Sequence, residues 1–135
     1  MTLKTLYESD FYRIQVDSER ELLLAKWRRP VTAKEVIQGG TKLYEILQDT
    51  QVERALGNSQ TLTVLSTEAK EWMSTTFYQL LSQTKLKKLA RVLPGSLFYK
   101  LALESVATRA EALGVTKFEV KNFTSDQEAL AWLVK

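Results

Sequence analysis

Residues 11–35, FYRIQVDSERELLLAKWRRPVTAKE, decide the fold. Phe11-Tyr-Arg-Ile-Gln-Val16 alternates large and polar side chains, the period of a strand with one buried face. Asp17-Ser-Glu-Arg20 has the composition of a turn, and Glu21 to Trp27 is again rich in residues that suit a pleated surface, so the stretch predicts a β-hairpin. Pro30 breaks the second strand, and Thr32-Ala-Lys-Glu35 has the spacing of a capping box: the Thr32 hydroxyl accepts from the Glu35 amide while Glu35 reaches back. A helix therefore begins there. Its positions Val36, Ile37, Gly40, Leu43, Tyr44 and Leu47 form one stripe ending near Asp49, with Gly40 expected where the helix backbone approaches the sheet.

From this unit the pattern continues toward the C-terminus. Val52 to Leu56 is a short strand, followed by the polar segment Gly57-Asn58-Ser59-Gln60-Thr61 and a looser extended stretch from Thr61 to Leu65. Ser66 caps a second helix, with Glu68 and Glu71 near the positive end of its dipole and Ala69, Trp72, Met73, Phe77, Leu80 and Leu81 as its buried face. Lys88 to Leu93 reads as a strand stopped by Pro94-Gly95. Ser96 then caps a helix that uses Leu97, Phe98, Leu101, Val106 and Leu113 and ends at Gly114. Lys117 to Phe123 alternates like a strand, and Ser125-Asp-Gln-Glu128 is a second capping box opening a final helix from Ala129 to Val134. The order β-β-α-β-α-β-α-β-α predicts a single α/β domain spanning residues 1–135. Its sheet is mixed and mostly parallel, with about five strands and about four flanking helices.

Composition narrows the chemistry. The 135 residues are 44% hydrophobic and 26% charged, ordinary for a globular domain that buries roughly 70% of its unfolded surface. There are no cysteines and no histidines, which removes thiolate nucleophiles, disulfides, cysteine-based zinc sites and imidazole acid–base catalysis. Neither a GxGxxG nor a GxxxxGK[ST] pattern occurs, so no nucleotide cofactor is implied. The reading is a non-enzymatic protein without a metal or cofactor. MTLKTLYESDFYR lacks the apolar core of a signal peptide and no apolar run approaches the roughly 20 residues of a membrane span, so the expected location is the cytoplasm. The net charge of +3 permits anionic partners without requiring one.

Four features are candidates for function. In a parallel α/β domain the loop leaving a strand's carboxyl end is where sites form, which singles out Asn58, Ser59 and Gln60 as a contact loop, with Ser59 a candidate for phosphorylation if exposed. Lys85, Lys87, Lys88 and Arg91 form a basic cluster with no acid inside it, a candidate anion-attracting patch; without a nucleic-acid-binding motif, nucleic acid is not the expected partner. Trp27, Trp72 and Trp132 either line a pocket for an apolar ligand or, as is more usual, belong to the core. Glu68 and Glu71 lie one turn apart, and a solvated first turn explains them better than paired catalytic carboxylates.

The hairpin with FYRIQVD and ELLLAKW, the strand followed by GNSQ, then KLARVL, TKFEVKNF and the terminal SDQEALAWL together resemble the SpoIIAA-like, or STAS-like, domains. In particular the chain is similar to the short stand-alone bacterial proteins described as STAS/SEC14-domain proteins. The resemblance implies a regulatory module acting through protein–protein contact, with a protein partner or a homodimer. In the anti-sigma-factor antagonists of that family an Asp-x-Ser element after a central strand carries a phosphorylated serine. The corresponding segment here is Asn58-Ser59-Gln60, which lacks the aspartate. The SEC14-like side of the resemblance implies an alternative, a carrier of a small amphiphile or lipid in an apolar pocket with Lys85, Lys87 or Arg91 at its mouth.

Overall fold

The computed structural model describes residues 2–63 and 65–135. The hairpin forms, but within a three-stranded antiparallel meander: β1 (Leu3–Glu8), β2 (Tyr12–Asp17) and β3 (Leu22–Trp27). β1 is not expected from the sequence. It is an edge strand of mostly exposed residues with a register shift between Thr5 and Tyr7, so it shows no clean alternation. β4 (Arg54–Asn58), β5 (Lys88–Val92) and β6 (Glu119–Phe123) follow in parallel, giving six strands rather than about five, ordered across the sheet as they are in the chain. The expected extended stretch from Thr61 to Leu65 includes one position outside the described residues and is not a strand at its other positions.

Helix α1 (Ala33–Thr50) starts with both halves of the Thr32/Glu35 capping box and stops at Gln51, whose left-handed backbone (φ 59°) turns the chain out. The second helical run, α2 (residues 67–81), is regular over Thr67–Trp72, opens into a π-helical turn over Met73–Phe77 and closes again over Tyr78–Leu81. Ser66 caps it through the Ala69 amide. The wide turn brings Ser74 and Tyr78 into the interior, which a strict 3.6 period does not predict.

Helix α3 (Leu97–Ala112) departs furthest from expectation. Leu97, Phe98, Leu101 and Leu113 are exposed, and the side chains it buries are Leu103, Val106 and Ala110. It packs against α2, so its inward face is set by that helix, and the Ser96 side chain makes no capping bond. Helix α4 (Asp126–Leu133) is capped by the Ser125 hydroxyl accepting from the Glu128 amide. The return half of that box is replaced, because the Glu128 carboxylate accepts from the Thr124 and Ser125 hydroxyls instead.

Three helices, α1 to α3, lie over one face of the sheet and share its main core with Tyr12, Ile14, Leu23, Trp27, Ala55 and Leu89. α4 alone covers the other face, where Ala129, Trp132 and Leu133 meet Leu22, Leu56, Ala90 and Val92. The glycine expected to meet the sheet is displaced by one residue. A Cβ on Gly39 would lie 2.8 Å from Trp27 and 2.9 Å from Tyr12, so Gly39 makes the sheet contact, while Gly40 faces the Trp72 ring of α2 at 2.7 Å.

Candidate functional site

The segment singled out as a contact loop belongs largely to the framework. Asn58 is the last residue of β4 and is 1% exposed, so the strand runs two residues beyond the expected Leu56. Strand alternation puts Arg54, Leu56 and Asn58 on the face that α4 covers. The Asn58 amide nitrogen donates to Asp126 (2.8 Å) and to Gln60 (3.1 Å), and its carbonyl oxygen accepts from the Gln60 backbone (2.9 Å). Four residues back, the Arg54 guanidinium donates to the Leu133 carbonyl (2.8 Å). One strand thus grips both ends of α4. The fit is dimensional, because four strand residues span about 13 Å and the eight residues of α4 about 12 Å.

Ser59 donates its backbone amide to the Val92 carbonyl (2.8 Å), and its own carbonyl accepts from Leu62 (3.0 Å). At 8% exposure its side chain is buried in this turn, contrary to the exposed position that phosphorylation requires. Gln60 is the exposed member of the three, reaching the Thr124 carbonyl at 3.3 Å.

Beside Asn58 and Asp126 lies a small cleft of about 110 Å³, floored by Leu24, Leu56 and Leu130 and flanked by Arg13 and Lys26. These two cations are direct cross-strand partners in the β2–β3 register, and Lys26 in turn pairs with Asn58. Like charges placed this way repel unless an opposite charge joins them, and the Asp126 carboxylate is the acid that shares the same lining.

The four-residue basic cluster is not one patch. Lys88 and Arg91 point to opposite faces of β5 because they are three positions, an odd number, apart. Lys88 stacks over Trp132 (4.9 Å to the ring centre) on the α4 side. Arg91 is buried on the other side, where it donates to Asn122 (3.0 Å) and to the Tyr78 hydroxyl (3.0 Å). Lys87 is paired with Glu53 (3.5 Å), and Lys85 is exposed before the strand begins. The acid that neutralises some of the cluster's charge comes from 34 residues earlier, hidden from a local reading of charge.

The tryptophans pack on other rings. Trp27 stacks on Tyr12 with centroids 3.9 Å apart, Trp72 on Phe77 at 5.3 Å, and Trp132 lies against Phe123 at 5.8 Å. Glu71 is held by the Arg109 guanidinium (3.0 Å), which keeps its carboxyl below the usual range, so it does not act with Glu68 as a pair. At the start of α1, Arg29 donates to Glu35 (2.8 Å) and Asp10 (3.0 Å). With the Thr32 amide this lowers Glu35 to about 2, while the two carboxylates raise the Arg29 value.

The surface that sequence reasoning missed is the exposed start of α3: Leu97 (68% exposed), Phe98 (75%) and Leu101 (53%). The apolar residues are visible in the sequence, but their helical spacing matches a buried face, and only the docking of α3 onto α2 turns them outward. No protein-family model, curated protein or solved structure matches this chain. Among the described residues no helix is long and apolar enough to cross a membrane.

Proposed function

We propose that this protein is a non-enzymatic, STAS-like module that works by protein–protein contact, with the first turns of α3 as its contact surface. The observation that carries the reading is the exposure of Leu97, Phe98 and Leu101 together on one short stretch. Three large apolar side chains left in water gain free energy when a partner covers them, and an aromatic side chain is the common anchor of such a contact. The surface follows the carboxyl end of β5, as the 59–61 turn follows that of β4, so it stands at the strand edge where α/β domains gather their sites. A protein partner or a second copy of the chain satisfies the same chemistry.

The test is sedimentation of the purified protein, alone and with proteins that co-purify with it, for the native chain and for Phe98→Ser. Phe98 is exposed, so the variant should keep its stability within about 0.5 kcal/mol while losing the association. An assembly that survives Phe98→Ser, or a native chain that stays monomeric and alone, counts against the reading, as does turnover of ester or phosphoester substrates. Ser59→Glu is a poor probe here, because it forces a charge into a buried turn rather than imitating a surface phosphate.

A further inference from the structure

The free edge of β6 forms one wall of a groove of about 510 Å³ whose opposite wall is α3. Within β6 the Glu119 amide donates to Lys87, and the Phe123 carbonyl accepts from Leu93, so residues 119, 121 and 123 turn their backbone groups toward β5. Val120 and Asn122 therefore direct their N–H and C=O groups away from the sheet, into the position a seventh strand would take. Across the groove α3 presents Glu104, Ala107, Thr108 and Glu111, spaced as one helix face. The two middle residues are small and leave width for a backbone. Carboxylates stand at both ends, and no cation belongs to the lining among the described residues. Neither of these two acids is ion-paired among the described residues. The Thr116 hydroxyl, buried without a hydrogen-bond partner among the described residues, adds an unmet polar group to the same wall.

We infer that this groove binds an extended, basic peptide segment of a partner protein, which adds to the sheet as a strand beside β6. Main-chain hydrogen bonds to Val120 and Asn122 supply the backbone recognition, and Lys or Arg side chains on the α3 side meet Glu104 and Glu111. Those two acids lie about 10 Å apart along the helix, within reach of long cationic side chains two or four residues apart on an extended chain. The inference concerns a surface separate from Leu97–Leu101 and stands whether or not that surface binds a partner.

The experiment is amide NMR of the full chain titrated with a synthetic nonapeptide of alternating lysine and valine, against the same peptide with glutamate in place of lysine. The lysine peptide should shift the Val120 and Asn122 resonances and slow exchange of both amides, with affinity falling as salt is raised. Charge reversal at two solvent-accessible helix positions, Glu104→Lys with Glu111→Lys, should weaken binding by about tenfold or more. Val120→Pro removes an outward N–H where an edge strand accepts proline, and it should weaken binding through the backbone alone. Four outcomes overturn the inference: equal binding of the glutamate peptide, undiminished binding to the charge-reversed chain, shifts that avoid residues 120 and 122, or β6 edges already paired between two copies without peptide. Shifts confined to Leu97, Phe98 and Leu101 would overturn it while supporting the contact surface on α3.

Discussion

Glu35 closes the capping box of α1 and holds the Arg29 guanidinium that also binds Asp10. Because its carboxyl is lowered from 4.5 to about 2 in the folded chain, its ionised form contributes stability that is whole above pH 4.5 and is lost as the pH falls toward 2. Glu35→Gln keeps an oxygen for the Thr32 amide but loses the charge. The melting temperature of the native chain should therefore exceed that of the variant near neutral pH, and the gap should close in acid, which a pH series of thermal melts would show. Gly39 and Gly40 supply a second comparison. Alanine at Gly39 meets Trp27 and Tyr12, two buried rings stacked on each other, whereas alanine at Gly40 meets the half-buried Trp72, which has room to move. Gly39→Ala should cost on the order of 2 kcal/mol in chemical denaturation and Gly40→Ala clearly less. The box at Thr32 and Glu35 is legible in the sequence because its two partners are three residues apart. The Gly39 contact is not, since it depends on which residue of α1 the sheet meets.

At the scale of elements, α4 depends on β4 for both of its ends. Asn58→Ala removes the bonds to Asp126 and Gln60 together, and should cost about 1–3 kcal/mol in urea denaturation. It should also speed amide exchange in α4 more than in α1, whose cap does not involve Asn58; uniform acceleration across both helices would argue against the clamp. The sequence marks both Ser125 and the strand before Asn58 but does not join them, because Asn58 and Asp126 are 68 positions apart. Elements with local signals are legible in the right order: the hairpin, the capped helices α1, α2 and α4, and the three later strands. Two elements carry misleading signals. β1 has no alternation to recognise, and α3 has apolar spacing that suggests burial where its docking gives exposure. The basic cluster misleads for a related reason: four cations close in sequence are divided between two faces and a paired acid by the strand that carries two of them.

Across the whole molecule, the mixed, mostly parallel sheet is legible from the alternation of strands and helices. The distribution of helices is not, because the sequence does not say which face each one covers. Three lie on one side and one on the other, and this asymmetry leaves β1, β2 and the Lys26 end of β3 without a helix over them on the second face among the described residues. There Arg13 and Lys26 stand beside the small cleft rather than under a layer of apolar side chains. Because the strands lie side by side in the order in which they are synthesised, a growing chain never has to open an existing strand pairing to admit a newcomer. Each new β-strand joins the open margin, and α1, α2 and α3 can seal the first face in turn as they emerge from the ribosome. Leu22, Leu56, Ala90 and Val92 have no such early cover, since α4 is the last of these elements to be made. A nascent chain therefore carries a completed sheet with one oily side still bare, and the interval before α4 arrives is when it is most exposed to chaperones and to misassembly with its neighbours.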